Sequence, residues 1–123
     1  MSSGARVLLV DDEIALLQLI EKYLMRLGYD VESHSTAHSA LRSFAAAPES
    51  WRLVIADLGM PDLPGHELLE PMFELNPQLR CLLCSGTPFD VASLPPLIRS
   101  QTAFLLKPFL PSMLSEAINQ LLA

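Results

Sequence analysis

Acids, a hydroxyl and a lysine stand at matching points along this chain, each directly behind a short apolar run. Asp11-Asp12 follow "RVLLV" (6–10), Asp57 follows "LVIA" (53–56), Ser85-Gly86 follow "CLLC" (81–84) and Lys107-Pro108 follow "AFLL" (103–106). If these points meet, three carboxylates at close range cannot all stay charged unaided. Either one takes up a proton or a hard divalent cation binds. Mg2+ is satisfied by a few carboxylate oxygens and keeps several waters, which fits this set. Lys107 can neutralise one acid when no cation is bound, and can pair with an anionic group delivered to it. A phosphoryl group beside Mg2+, a lysine and a hydroxyl is the arrangement that phosphoryl transfer uses. Asp57 is then the candidate nucleophile, as an aspartyl-phosphate former.

Each piece alone has a plainer reading. Asp11 and Asp12 would serve as an acidic helix start favoured by the macrodipole. Asp57 would be a turn former before "GMP", and Ser85 the start of an "SGTP" turn. Their joint occurrence behind strand-like runs favours the cation site.

The elements that must bring them together are legible in the hydrophobic pattern. A fifth run, "VESH" (31–34), is more polar and suits a sheet edge; the other four are near-continuous in apolar residues, as in parallel strands covered on both faces. Segments of 3.6-residue period lie between them. Ile14, Leu17, Leu24 and Leu27 line one face of a first helix, with Gly28 as its stop. Ala37, Ala40, Leu41, Phe44 and Ala45 line a second, with Ser35 or Thr36 as N-cap. A third, near 65–75, carries Pro71 and should be kinked or start late. Pro95-Pro96 cannot sit inside a regular helix, so the fourth crossover should be short or irregular. Leu114, Ala117, Ile118, Leu121 and Leu122 give the last helix. This alternation predicts an open α/β sheet with right-handed crossovers. All C-terminal strand ends then share one edge, where such folds bind ligands.

Composition bounds the rest. The chain has 123 residues, half of them hydrophobic, enough for one core, and is read as a single domain over 1–123. A formal charge of −6 argues against nucleic acid or an anionic membrane as partner. No apolar run approaches the ~20 residues of a spanning helix. The start "MSSGAR" lacks the apolar core of a secretion signal, and two cysteines fit a reducing compartment, so a cytoplasmic location is expected. Cys81 and Cys84 form a C-x-x-C, but on a strand positions i and i+3 face opposite ways, so core packing is expected instead of metal binding. His34, His38 and His66 show no ligand spacing, and Trp51 and Phe73 read as packing residues.

The order Asp11-Asp12, Asp57, "DLGMP", Ser85-Gly86 and "FLLKPF" resembles the receiver domain of two-component response regulators, over residues 6 to 122. The resemblance implies a flavodoxin-like, doubly wound five-stranded parallel sheet in the order 2-1-3-4-5, with helices on both faces. It implies that Asp57 takes a phosphoryl group from a histidine kinase or phosphotransfer protein. Asp12 and Asp57 would ligate Mg2+ with the backbone carbonyl of Gly59, while Asp11 holds metal-bound water. Ser85 and Lys107 would each contact a phosphoryl oxygen, and the Lys107–Pro108 peptide would be cis. Phe104 matches the family's aromatic switch position, turning inward once Ser85 moves. The domain would not be an enzyme beyond catalysing its own phosphorylation and slow dephosphorylation.

Several departures matter. Gly59 has no side chain where many receivers carry one; together with Thr87, two residues past Ser85, it should influence water access to the acyl phosphate. Leu110 stands where receivers often have a Ser or Thr cap, so the last helix should open on Pro111 at N1 with a weaker cap. Pro95-Pro96 falls on the face, formed by the fourth helix, fifth strand and fifth helix, that usually carries the output, so a different surface is expected to be read. The chain ends at Ala123 directly after the last helix, so no DNA-binding effector is expected; a stand-alone receiver and a domain of a hybrid histidine kinase both remain open. A receiver-fold interaction module not regulated by phosphate is the alternative, and the intact Asp57, Lys107 and Ser85 argue against it. A haloacid-dehalogenase-like phosphatase would need a second acid where Gly59 stands.

Overall fold

The apolar runs become strands and the periodic segments the helices that cover them. The computed structural model describes residues 5–123. In chain order the elements are β1 (Arg6–Val10), α1 (Ile14–Arg26), β2 (Asp30–His34), α2 (Ala37–Ala46), β3 (Trp51–Asp57), α3 (Gly65–Leu75), β4 (Arg80–Ser85), α4 (Pro96–Ser100), β5 (Thr102–Leu106) and α5 (Pro111–Leu122). Single 3-10 turns lie at Pro48–Ser50 and Val91–Ser93. All neighbouring strands pair in parallel, in the order β2-β1-β3-β4-β5. This is the expected flavodoxin-like architecture.

Strand side chains alternate between two cores. Leu8, Val10, Val54, Ala56, Cys81 and Leu83 point to the layer of α2, α3 and α4. Val7, Leu9, Leu53, Ile55, Leu82 and Cys84 point to α1 and α5. Cys81 and Cys84 therefore sit on opposite faces as free, buried thiols. Burial pushes the Cys84 thiol up to about 12 and that of Cys81 higher still, so neither is a reactive thiolate. Trp51 and Phe73 are buried in the core, as expected.

Helix ends follow local chemistry. Gly28 adopts φ 97°, and α1 closes with Gly28 N–H on the Met25 carbonyl and Tyr29 N–H on that of Leu24, the double bond of a Schellman stop. Thr36, not Ser35, caps α2, its hydroxyl accepting from Ser39 N–H at 3.2 Å. Pro111 opens α5 at N1, and Leu110 caps it without a side-chain oxygen.

Two local expectations fail. Ile14 and Leu27 are exposed, because they lie in the terminal turns of α1; the buried stripe is Leu17, Ile20 and Leu24. Ala45 points to solvent while Ala40 and Phe44 are buried. The α3 helix starts at Gly65 and continues through Pro71, whose missing N–H falls opposite the carbonyl of exposed Glu67. Pro95-Pro96 behaves as expected: Pro96 is N1 of a helix of only five residues.

Candidate functional site

Parallel pairing delivers the acids, hydroxyl and lysine to one sheet edge. Asp57 and Ser85 are the last residues of β3 and β4; Asp11 directly follows β1, and Lys107 directly follows β5. Backbone bonds fix these positions beyond the strands. Asp11 N–H donates to the His34 carbonyl (3.1 Å), Leu58 N–H to that of Cys84 (2.9 Å) and Lys107 N–H to that of Ser85 (2.7 Å). The Lys107–Pro108 peptide is cis.

Lys107 is the hub. Its Nζ donates to Asp11 Oδ2 at 2.9 Å, lies 3.4 Å from Glu13 Oε1 and 3.5 Å from Asp57 Oδ1. The other Asp11 oxygen accepts from Glu13 N–H at 2.9 Å. Asp11 and Asp57 are buried, at 3% and 8% exposure, whereas Asp12 is open to solvent. Burial raises the Asp57 carboxyl above its ordinary range; Lys107 opposes this and Asp11 adds to it. Burial would lower Lys107, but its hydrogen bond to Asp11 and the charges of Asp11 and Asp57 outweigh that and raise it. The ammonium form is therefore secure at neutral pH.

One carboxylate oxygen each from Asp11, Asp12 and Asp57 come within 4.8 Å of one another. Three hard oxygen donors, one facing solvent and with Lys107 the one cation paired to them among the described residues, suit a divalent ion that keeps part of its water shell. A cavity of about 560 Å³ opens beside Asp57, the one of these three acids that lines it. Asp57, Gly59, Ser85, Gly86 and Lys107 form its polar end; Leu16, Pro108 and Phe109 form an apolar wall. A Cβ on Gly59 would lie 3.6 Å from Asp57 Oδ2, so its absence leaves that flank of the carboxylate bare.

Not every expected residue meets Asp57. The Ser85 hydroxyl is turned to Thr87, accepting from its N–H at 3.1 Å and lying 3.2 Å from its Oγ1. Phe104 is half-buried in mid β5, against the α2–α3–α4 core. Its ring stands 6.3 Å from that of Phe89, which stands 5.5 Å from the ring of His66.

Sequence reasoning also missed residues. Glu13 completes the Lys107 cluster, and its signal was the third acid of "DDE". Gly65 opens α3 so close to β3 that a Cβ would lie 2.7 Å from the Asp57 carbonyl oxygen. Asp62, in the loop after Asp57, accepts from Ala37 N–H (3.1 Å) and His38 N–H (3.0 Å) at the start of α2, and meets His38 Nδ1 at 2.7 Å. These bonds, led by His38 N–H, lower the Asp62 carboxyl to about 2. No local pattern marks Gly65 or Asp62, because both act across elements.

Residues 7–119 match the family model of the response regulator receiver domain. The two-component response regulator ARR14 of Arabidopsis thaliana is 32% identical over 114 residues, covering 93% of this chain but 30% of that protein. The chain thus spans under a third of the length of that relative. The chemotaxis protein CheY of Thermotoga maritima is 25% identical over 118 residues, 95% of this chain and 97% of CheY. A CheY-like receiver domain protein from Methanospirillum hungatei superposes with a TM-score of 0.82 at 33% identity, covering 98% of this chain and 94% of that one.

Proposed function

The chain belongs to the response regulator receiver domain family, and on that premise we propose that it is a Mg2+-dependent phosphoacceptor switch charged on Asp57. Receivers of this family are regulatory domains of two-component signalling, not turnover enzymes, and interact with histidine kinases or phosphotransfer proteins. The observation that carries the reading is the placement of buried Asp57 3.5 Å from the Lys107 ammonium, inside a cluster of three carboxylates.

Asp11, Asp12 and Asp57, with the Gly59 carbonyl, would hold the ion, Asp11 through a bound water. The ion, when bound, neutralises charge on the phosphoryl group. The donor is a phosphorylated histidine of a kinase or phosphotransfer protein. An Asp57 carboxylate oxygen attacks phosphorus; the O–P bond forms, the P–N bond breaks, and the electron pair leaves with the imidazole nitrogen. Lys107 shifts from Asp11 to a phosphoryl oxygen. The Ser85 hydroxyl leaves Thr87 to hydrogen-bond another, and Phe104 turns into the space released. Water attack on phosphorus resets Asp57. We read 1–123 as one receiver unit and place it in the cytoplasm; no described helix is long and apolar enough to cross a membrane.

The test is incubation with a small-molecule phosphodonor and Mg2+, followed by intact mass. Wild type gains one phosphoryl group and Asp57→Asn gains none. Absence of an adduct with any donor, together with indifference to beryllofluoride, would establish instead an interaction module outside phosphate control.

A further inference from the structure

The short α4 leaves a groove on the side of the sheet away from α1 and α5. Because Pro95-Pro96 prevents an earlier start, α4 covers only Pro96–Ser100, and α3 keeps a strip of its surface open beside it. The groove holds about 280 Å³ and is lined by Glu70, Phe73, Glu74, Pro95, Leu97 and Ile98. Its floor is apolar: Phe73 and Ile98 are 4% and 5% exposed, while Leu97 stands on the rim at 49%.

The opposite rim is acidic. Glu70 and Glu74 lie one turn apart on α3, and among the described residues no Lys or Arg pairs with either. Like charges at i and i+4 destabilise a helix, so the pair is held at a cost that a cationic partner would remove. The volume falls just below the ~300–1,000 Å³ of small-molecule sites, which favours apolar anchor side chains of a macromolecule. A cleft between two helices offers no strand edge to extend, which favours a helix laid in the groove. A second copy of this chain is a poor occupant, since it carries the same acidic rim and a net charge of −6. Charge excludes an anionic membrane in the same way.

We propose that the α3–α4 groove is the output docking surface, and that its partner is an amphipathic helix with apolar anchors flanked by Lys or Arg. Its output role rests on the receiver reading; the groove and the partner chemistry do not. The link to Asp57 is short. Residues 86–95 join Ser85 directly to the groove, and Phe89, on that segment, contacts Phe104 and His66.

A fluorescent amphipathic peptide of about 16 residues, with Leu at i, i+3, i+4 and i+7 and Lys elsewhere, is titrated against the full chain by anisotropy. Wild type binds it saturably and in preference to a scrambled peptide of equal composition. E70K/E74K weakens binding at least ~10-fold, E70Q/E74Q less, and L97D also weakens it. No variant unfolds at a lower temperature than wild type, as these side chains are exposed, and E70Q/E74Q unfolds slightly higher because the like-charge repulsion is gone. No binding by wild type, equal binding of the scrambled peptide, or equal binding by the variants overturns the assignment. Beryllofluoride with Mg2+ shifts peptide affinity. If Asp57 takes phosphate but affinity does not move, the output role is wrong. Failure of the receiver reading is seen separately, as no mass adduct on Asp57.

Discussion

The Lys107 ammonium makes its shortest contact with Asp11, at 2.9 Å, and stands 3.5 Å from Asp57. The lysine thus pairs more closely with Asp11 than with Asp57, the acid proposed to accept phosphate. Its partner is already negative, so the ammonium waits at the site without blocking the Asp57 oxygen remote from it. In the proposed function, charging Asp57 exchanges the Lys107–Asp11 pair for one between Lys107 and a phosphoryl oxygen.

Removing the lysine tests this pairing. Lys107→Met leaves Asp11 and Asp57 buried without a cation, and unfolding in urea with chelator present should show a loss of about 2 kcal/mol. Saturating Mg2+ should recover most of that loss, because the ion replaces the missing positive charge. A loss unchanged by Mg2+ would place the ion elsewhere.

Asp12 should behave in the opposite sense. It is exposed and has acids as neighbours. Asp12→Ala is expected to leave the metal-free fold unchanged or more stable by up to about 0.5 kcal/mol, while Mg2+ affinity, read by calorimetry, falls by ~10–100-fold or more. Destabilisation of the metal-free fold would instead support its role as an acidic helix start.

Three glycines near Asp57 should respond differently. At Gly65 a Cβ would meet the Asp57 backbone oxygen at 2.7 Å, so Gly65→Ala should cost ~1–3 kcal/mol despite the better helix propensity of alanine. At Gly86 a Cβ meets nothing within 4 Å, and Gly86→Ala should be neutral in the same chemical unfolding experiment. At Gly59 the added Cβ fits at 3.6 Å from Asp57 Oδ2, so Gly59→Asn should fold and slow loss of phosphate by screening the carboxylate from water. An unchanged hydrolysis rate would remove Gly59 from control of phosphoryl lifetime.

The Asp62 bridge predicts a pH dependence. Its carboxyl titrates near 2 when folded against 3.8 ordinarily, so the unfolded chain binds the proton more readily between those values. Its stabilisation is therefore full above about pH 3.8 and is lost as pH falls toward 2. The stability gap between wild type and Asp62→Asn should be constant near neutrality and should shrink across that acid window. A gap independent of pH would mean that charge is irrelevant to this cap.

The short-range features of the molecule were legible in the residues. Apolar runs gave the strands, Gly28 the end of α1, Thr36 a cap, and Pro95-Pro96 the late start of α4, because each depends on a few neighbouring dihedrals or one hydrogen bond. The misplacements have a tertiary cause. Ile14 and Leu27 obey the helical period, yet only tertiary packing decides how far along a helix the sheet reaches.

Residue order alone established which acids, lysine and hydroxyl stand behind which strands, and so which residues a parallel sheet must gather at one edge. The tertiary structure decided the pairings among them. Lys107 and Asp11 are 96 positions apart, and their contact follows from register and crossover geometry that no window of sequence contains. The same holds for Asp62 on the N-terminus of α2, and for Gly65 against the backbone of Asp57. Periodicity reports what one element wants to bury; only the assembled sheet and its helices fix which atoms meet.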